Sequence, residues 1–313
     1  MTSLAPIFEL TPGATISPAS GSVQNFTTPV RYTVTSEDKA WHRVYAITAR
    51  EQKASNIPTT YHFEKVRIMQ NVWQEFYEEQ DSGNELTWAS GNNGFKWAMS
   101  EAATEDYPTT QIDNGKTGKC VKLETRLTGD LGNMVGMPIA AGNLFIGSFD
   151  MLNAITNPLS ATRFGTPFYN KPLRLTGYYK YKAGEQFYEN GEYTSRKDIF
   201  NIYAIFYDGV KYDSAGKGTD VTLDGNLPNQ NYEHSSMVAL ALVSNPQETE
   251  GDEWKFFDIP FDYQRYGKKI DEARLAKGEY KIGIIFASSK DGATFEGAPG
   301  STLLIDEVEL IYE

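Results

Sequence analysis

The stretch KDGATFEGAPGSTLLIDEVELIYE, residues 290–313, decides how we interpret the fold of this chain. Its first half is rich in glycine, and its second half alternates apolar and polar residues as a β-strand does. The segment before it, EYKIGIIFASS at 279–289, alternates in the same way and places apolar side chains on one face. Together these segments predict two β-strands that flank one loop and close a two-sheet sandwich.

The loop between the two strands carries mixed chemistry. It holds Lys290, Asp291, Phe295 and Glu296, and rigid strands commonly present functional side chains at the rim of a sandwich. We therefore treat this loop as part of a candidate binding site. The alternative, a solvated hairpin tip, stays open on sequence alone.

Composition favours a turn-rich β protein. Of the 313 residues, 13% are aromatic and 27 are glycines, and strands do not alternate with long helices, which excludes Rossmann and α/β-barrel folds. The net charge of −12 argues against a nucleic acid as partner, because phosphates favour basic surfaces. No run approaches the length of a membrane span. Cys120 is the only cysteine, so an internal disulfide is excluded, and we expect it to be buried.

The first part of the chain predicts a small β domain of its own. Short alternating runs in residues 1–55 are separated by Pro, Gly, Ser and Asp clusters. The strings TPGATISPASG, FTTPVRYTVTSED and YAIT resemble immunoglobulin-like modules that precede carbohydrate-active domains in secreted proteins of gut bacteria. Such modules usually begin with further strands, so this domain is either truncated or leans on the next domain to cover an open edge. Residues 56–64, where periodicity is lost, are predicted as the linker.

Ordered segments across the rest of the chain resemble one family. The strings WASGNNGF, YPTTQIDNGKTGKCVKLET, NPLSATRFGTPF, LRLTGYYKYKAG and SSKDGATFEGAPGSTLLIDEVEL are similar to those of the putative carbohydrate metabolism domain. The resemblance implies a jelly-roll β-sandwich over residues 65–313, like that of carbohydrate-binding modules. It also implies export to the periplasm or outer cell surface of a glycan-degrading gut bacterium, beside other glycan-utilisation proteins. The signal sequence would be absent from this chain, since MTSLAPIFEL lacks a basic region followed by an apolar core.

Aromatic and amide side chains supply the first candidate glycan contacts. Sugars are recognised by aromatic faces and by polar side chains that bridge hydroxyls. Trp88 and Trp97 lie in turn-rich sequence with Asn92 and Asn93 between them, which predicts a stacking platform with amide partners. Core packing of each tryptophan is the alternative.

Cationic and tyrosine side chains extend the predicted ligand-binding set. Arg163 lies between two proline-marked turns, where its guanidinium would bind either sugar hydroxyls or loop carbonyls. In the strand GYYKYK, alternation predicts that Tyr179 and Tyr181 pack inward, while Tyr178 and Lys180 stay on an exposed face.

These segments predict one site and a non-catalytic function. We expect the segment 88–97, Arg163, Lys180 and the loop 290–296 to converge at one rim, with Lys290 among the ligand contacts. Aromatic and amide residues without a catalytic signature favour the binding of an oligo- or polysaccharide.

Carboxylates leave two further hypotheses open. A glycoside hydrolase would need a carboxylate pair across a cleft, for which Asp198, Glu124, Asp291 and Glu296 are candidates. Of these, Asp291 and Glu296 belong to the predicted site. No organic cofactor is predicted, but carbohydrate-binding jelly rolls often tie their first and last strands with calcium. Glu78 and Asp306 are the candidate calcium ligands, and ordinary surface charge is the alternative for both.

Overall fold

The computed structural model describes residues 3–49, 54–80 and 82–313. The chain divides into two compact units, Met1–Ala54 and Ser55–Glu313. Strands hold 41% of the chain and helices 11%, which confirms the predicted all-β fold. Among the described residues, no helix is both long and apolar enough to cross a membrane.

The first unit contains a three-stranded antiparallel sheet. In spatial order its strands are β1 (Thr15–Ser17), β2 (Val30–Thr35) and β3 (His42–Ile47). Alternation along β2 turns Tyr32 inward, where it is buried with its ring centroid 4.7 Å from that of Phe8. The immunoglobulin-like character of this unit remains a prediction.

The second unit holds the remaining elements. Its first strands are β4 (Thr60–Tyr61), β5 (Val66–Met69), β6 (Trp73–Glu79), β7 (Glu85–Thr87), β8 (Thr109–Asp113), β9 (Lys119–Glu124), β10 (Arg126–Leu127), β11 (Ile139–Ala140), β12 (Asn143–Phe145), β13 (Gly147–Phe149), β14 (Thr162–Phe164) and β15 (Thr166–Pro167). They are followed by β16 (Pro172–Lys182), β17 (Phe187–Glu189), β18 (Glu192–Thr194), β19 (Asn201–Asp208), β20 (Val210–Tyr212), β21 (Gly218–Asp220), β22 (Leu223–Asp224), β23 (Met237–Leu242), β24 (Lys255–Pro260), β25 (Tyr280–Ala287) and β26 (Thr302–Tyr312).

Short helices interrupt the strands. The α-helices are α1 (Asn92–Ala98), α2 (Gly129–Met134), α3 (Met151–Thr156) and α4 (Glu272–Leu275). Single 3₁₀ turns span Thr104–Asp106, Pro158–Ser160, Pro228–Gln230 and Gly292–Thr294. Helix α4 ends shortly before Gly278, whose positive φ of 70° stops the helix.

Two antiparallel sheets form the predicted sandwich. The six-stranded sheet has the order β24, β16, β26, β9 and β8, with β4 also paired to β26. The five-stranded sheet has the order β12, β25, β19 and β23, with β15 also paired to β25. The closing strands β25 and β26 therefore lie in different sheets, so residues 288–301 cross from one sheet to the other and do not form a hairpin.

The core between the sheets follows the predicted alternation. From the six-stranded sheet, Tyr179 and Tyr181 are buried in it, as expected for the inward positions of β16. From the five-stranded sheet, Ile284 and Phe286 face the same core, while Ile285 packs in a second apolar cluster on the other face of that sheet. One sheet thus contributes to two apolar clusters, one on each of its faces.

A bulge resets the alternation within β26. The register of β26 against β16 shifts between Asp306 and Glu309, and Glu307 takes a positive φ of 48°. The extra residue lets both Ile305 and Val308 face the core despite their spacing of three. This explains why the apolar residues of the last strand do not alternate strictly in the sequence.

Residues 56–64, predicted as the linker, belong to the second unit. Thr60 and Tyr61 form β4, which pairs with β26. Ile57, Tyr61 and Phe63 are buried in the core of the sandwich. The compact second unit accordingly begins at Ser55.

Candidate functional site

The outer face of the five-stranded sheet carries a cavity of about 170 Å³. Its floor comes from alternate residues of three neighbouring strands, namely Phe145 of β12, Tyr203 of β19 and Ile285 of β25. These positions face outward because the residues on either side of each, such as Leu144 and Phe286, fill the core between the sheets. Rigid strands therefore fix the base of the cavity.

Three short helices form much of the cavity wall. Helix α1 contributes Phe95 and Trp97, and α3 contributes Met151 and Ile155, while α2 contributes Gly132. Helix α3 begins after Asp150, whose side chain accepts hydrogen bonds from the backbone of the first turn. This cap allows a helix of only six residues to form at the cavity edge.

The loop that crosses between the sheets forms another part of the wall. Lys290 and Phe295 of this loop line the cavity. The buried Asp198 carboxylate holds the loop in place, accepting hydrogen bonds from Ser289 Oγ at 2.6 Å, Ala298 N at 2.8 Å and Ser301 Oγ at 2.7 Å. The same loop that joins the two sheets is thus fixed beside the cavity.

The tryptophan platform predicted from the sequence needs a correction. Trp88 is only 1% exposed and packs in the core with its ring 5.0 Å from that of Tyr61, so it offers no face to a ligand. Asn92 is also fully buried. Its amide nitrogen donates to Thr109 O, and its amide oxygen accepts from Thr109 N. Asn93 is half-buried and accepts a hydrogen bond from a neighbouring glutamine side chain.

Trp97 and Lys290 are the predicted residues that the structure brings together at the cavity. The ring of Trp97 is 39% exposed, and Lys290 is exposed as well, so both lie where a ligand would enter. Arg163 is adjacent in sequence to residues that line the cavity, but it does not line the cavity itself. Its strand neighbours Thr162 and Phe164 do, and Arg163 is the exposed residue between them.

Tyr178 and Lys180 lie elsewhere, on the outer face of the six-stranded sheet. The ammonium of Lys180 pairs with Asp252 at 2.5 Å and lies 4.9 Å from the ring centroid of Trp254. Tyr178 contacts Phe256 across the strand pair, with centroids 5.1 Å apart. This second aromatic surface does not join the cavity, so the predicted convergence of Lys180 with the other segments is wrong.

The carboxylates predicted for catalysis lie outside the cavity lining. Asp291 forms an ion pair with Arg196, which also holds Glu189 at 3.1 Å. Glu296 is half-buried and does not line the cavity. Neither carboxylate therefore belongs to the cavity wall.

The two predicted calcium ligands accept hydrogen bonds from the backbone. Glu78 accepts from the N–H groups of residues 62 and 63, and Asp306 accepts from Thr117 N at 3.0 Å and Glu307 N at 2.8 Å. Burial raises the pKa of Asp306 to about 6. Within the ranges that the structure describes, no three His, Cys, Asp or Glu side chains gather as metal ligands would. A calcium site remains a hypothesis from the resemblance alone.

Burial also governs the single cysteine. Cys120 is buried in β9, as expected from its sequence, and burial raises the pKa of its thiol to about 12. The thiolate that would act as a nucleophile is therefore disfavoured at neutral pH.

A second cleft, called the polar cleft here because of its charged side chains, adjoins the C-terminal end of helix α1. It shares Phe95 and Ala98 with the cavity, and its carboxylates are Glu101, Asp106 and Glu124. The Arg126 guanidinium lies between two of them, with Nε 3.1 Å from Glu124 Oε1 and Nη1 3.9 Å from Asp106 Oδ1. The cleft can therefore bind hydroxyl groups through both acceptors and donors.

Sequence reasoning missed the apolar cavity residues. Phe95 lies in the turn-rich segment 88–97 and Phe164 lies next to Arg163 between two proline-marked turns, but neither was named as a site residue. One local signal was available for α3, because Asp150 precedes MLNAIT as an N-cap precedes a helix.

The comparisons with known proteins agree over most of the chain. The family described as "Putative carbohydrate metabolism domain" matches residues 62–311, and "SGBP, N-terminal" matches residues 1–49. Crystal structures of two proteins described as putative glycoside hydrolases are similar. The one from Bacteroides vulgatus ATCC 8482 is 50% identical with a TM-score of 0.76, covering 83% of this chain and 100% of that chain. The one from Bacteroides thetaiotaomicron VPI-5482 is 46% identical with a TM-score of 0.74, covering 100% of this chain and 87% of that chain.

No curated protein matches the chain. The family match covers well over half of the sequence, and the matched range coincides with the sandwich that carries the cavity. The chain therefore belongs to the family of the putative carbohydrate metabolism domain.

Proposed function

We propose that this protein is an exported glycan-binding protein whose site is the mouth of the cavity. The observation that carries the proposal is that the exposed ring of Trp97 and the ammonium of Lys290 line the same cavity, and that this ammonium has no partner among the described residues. A tryptophan face packs against the apolar C–H surface of a sugar, and an ammonium donates to its hydroxyls. The match of residues 1–49 to the N-terminal domain of surface glycan-binding proteins supports a location outside the cytoplasm.

The lining of the cavity favours binding over hydrolysis. Hydrolysis of a glycosidic bond requires two carboxyl groups across the cleft, roughly 5–9.5 Å apart. No aspartate or glutamate lines this cavity, all of whose lining residues are described. A sugar seated against Trp97 would meet ring faces and Lys290 there.

Glycoside hydrolysis is the second candidate, supported by the polar cleft and by the descriptions of the two similar structures. The ion pairs argue against it, because Glu124 is paired with Lys122 at 3.0 Å as well as with Arg126. Both oxygens of this carboxylate are therefore engaged by protein cations, whereas a general acid or nucleophile must direct an oxygen at the substrate.

One experiment separates the two candidates. The purified protein is applied to an immobilised panel of plant and host polysaccharides, and the supernatants are assayed for new reducing ends. We expect retention on at least one glycan without new reducing ends. Release of reducing ends that is lost in Glu124→Gln would establish the hydrolase instead.

Trp97→Ala tests the site within the same panel. Loss of the ring contact should weaken binding roughly tenfold, since it costs about 1–2 kcal/mol. Trp41→Ala is the matched control, because Trp41 is 79% exposed and belongs to the first unit. Equal weakening by both variants would contradict a site at the cavity mouth.

A further inference from the structure

The interior of the cavity is more apolar than a sugar requires. Its lining includes the aromatic rings Phe95, Phe145, Phe149, Phe164 and Phe295 together with Ile285. Its volume of about 170 Å³ is small. Apolar cavities of about 150 Å³ hold a single benzene ring. The space inside therefore matches one six-membered ring rather than an oligosaccharide.

The polar side chains that line the cavity are almost all satisfied within the protein. Asn143 Oδ1 accepts from Gly91 N at 2.8 Å, and its amide nitrogen donates to Ala141 O at 3.1 Å. The amide of Asn201 is bonded to the Tyr232 hydroxyl. The hydroxyls of Thr109, Thr128 and Ser289 each donate a hydrogen bond to another protein group.

Three lining side chains differ from this pattern. The hydroxyl of Tyr203, on the cavity floor, makes no hydrogen bond among the described residues. The Thr162 hydroxyl is without a hydrogen-bond partner in the described structure, but its oxygen is shielded from solvent. Lys290 is exposed, and its ammonium makes no ion pair or hydrogen bond among the described residues. The cavity thus offers a ligand a largely apolar interior with one tyrosine hydroxyl on its floor, and one cationic donor at the entrance.

A bare sugar ring would bind poorly inside this cavity. Each buried hydroxyl without a partner costs about 1–3 kcal/mol, and a hexose carries several. An aromatic ring has no such groups, and burying it is favourable by about 25 cal/mol per Å² of apolar surface. The interior and the mouth are therefore suited to different chemical groups.

We infer that the cavity takes a single-ring aromatic acyl group, with its ring inside and its carbonyl oxygen accepting from Lys290 Nζ. The inference rests on the proposed function, because such a group would be an ester substituent on the glycan that Trp97 contacts. The same chemistry exists in a free aryl carboxylate. The net charge of −12 repels a free anion, so the neutral ester is the expected source.

The test uses three small probes and ¹⁹F NMR titration. The probes are 4-fluorobenzoate, a methyl hexoside carrying one 4-fluorobenzoyl ester, and the same methyl hexoside without the ester, which is followed by competition. We expect both fluorinated probes to bind, with the ester at least threefold tighter than the acid. Tighter binding of the free acid than of the ester would overturn the assignment to a glycan ester. Failure of both fluorinated probes to bind would overturn the inference as a whole.

Two substitutions test whether the probes bind in the cavity. Ala154→Trp, on the cavity side of α3, should fill the space and weaken both fluorinated probes more than tenfold. Leu152→Trp is the matched control on the same helix, since Leu152 is 84% exposed and does not line the cavity. Lys290→Met at the surface should weaken both probes about fivefold without affecting the fold. Unchanged affinity in both Ala154→Trp and Lys290→Met would overturn the inference.

The outcomes also separate this inference from the proposed function. Retention of unsubstituted glycans with no binding of either aryl probe would overturn the inference and leave glycan binding intact. Binding of the aryl probes by a protein that retains no glycan in the panel would overturn the proposed function, while the aryl site would stand as a site for the free acid.

Discussion

At the scale of single residues, tertiary packing decides what each aromatic side chain can do. Trp88 and Trp97 lie in the same turn-rich segment, yet one is 1% and the other 39% exposed. The difference arises because Trp88 packs against Tyr61 and Phe63, which enter from a segment far away in sequence. Local sequence contains no signal for that contact.

A single buried carboxylate should make stability depend on pH. Burial raises the pKa of Asp306 from 3.8 to about 6, so the folded protein holds this proton more tightly than the unfolded chain. The stability that Asp306 provides is therefore present below about pH 4 and is lost as pH rises through 6. A shift of this size corresponds to at most about 3 kcal/mol.

Asp306→Asn tests this sign. We expect the free energy of unfolding of the wild type, minus that of Asp306→Asn, to fall between pH 4 and pH 7, measured by urea denaturation of both proteins. Other titrating groups cancel in this difference. A difference that rises with pH would show that the hydrogen bonds from Thr117 N and Glu307 N outweigh burial.

Residue-scale prediction succeeded where alternation alone decides the outcome. The inward positions of Tyr179 and Tyr181 followed from the mid-strand lysines beside them, because a long strand has only two faces. It failed for Lys180, which lies on the outer face of the six-stranded sheet, whereas the cavity lies on the five-stranded sheet. Which sheet a strand joins depends on long-range pairing that the sequence does not specify locally.

At the scale of elements, the crossing loop and the short helices determine the site. The residues 288–301 run between the two sheets, and Asp198 binds them at three points. Glycine-rich sequence predicted a loop here but could not show that β25 and β26 separate into different sheets. Helices α1 to α3 were missed because elements of six or seven residues show too little periodicity.

Removal of the Asp198 carboxylate should destabilise the sandwich. Asp198→Ala leaves two hydroxyls and one backbone N–H buried without their acceptor, at a cost of about 3 kcal/mol or more. Asp252→Ala is the control, because Asp252 is solvent-exposed and its surface pair with Lys180 contributes about 0–1 kcal/mol. Similar unfolding free energies for the two variants, from urea denaturation, would contradict the role assigned to Asp198.

The cap of α3 should matter for the cavity more than for the whole fold. Asp150→Ala removes hydrogen bonds to Leu152 N and Asn153 N, which costs about 1 kcal/mol. We expect faster amide hydrogen exchange in residues 151–156 and little change in the core strands. Asp150→Ser retains a capping oxygen and should restore protection, whereas equal exchange in both variants would argue against the cap.

At the scale of the whole molecule, the sandwich presents two separate aromatic surfaces. One is the cavity mouth with Trp97, on the outer face of the five-stranded sheet. The other carries Tyr178, Trp254 and Phe256 on the outer face of the six-stranded sheet. The sequence predicted the β-sandwich, but it merged these two surfaces into one candidate site. Their separation follows from sheet order, which strand patterns alone do not encode.

The choice between the two surfaces rests on how their side chains are engaged. On the six-stranded sheet, the ring of Tyr178 lies 4.9 Å from Lys116 Nζ, and that of Trp254 lies equally close to Lys180. At the cavity mouth, Lys290 has no such partner among the described residues. A ligand at the mouth therefore displaces fewer existing contacts.

A crystal structure of the protein with the best-retained glycan of the panel tests the central claim most directly. The account predicts electron density for a sugar ring against the indole of Trp97, with an oxygen within hydrogen-bonding distance of Lys290 Nζ. Density for the glycan on the surface formed by Tyr178, Trp254 and Phe256, with the cavity mouth empty, would contradict it.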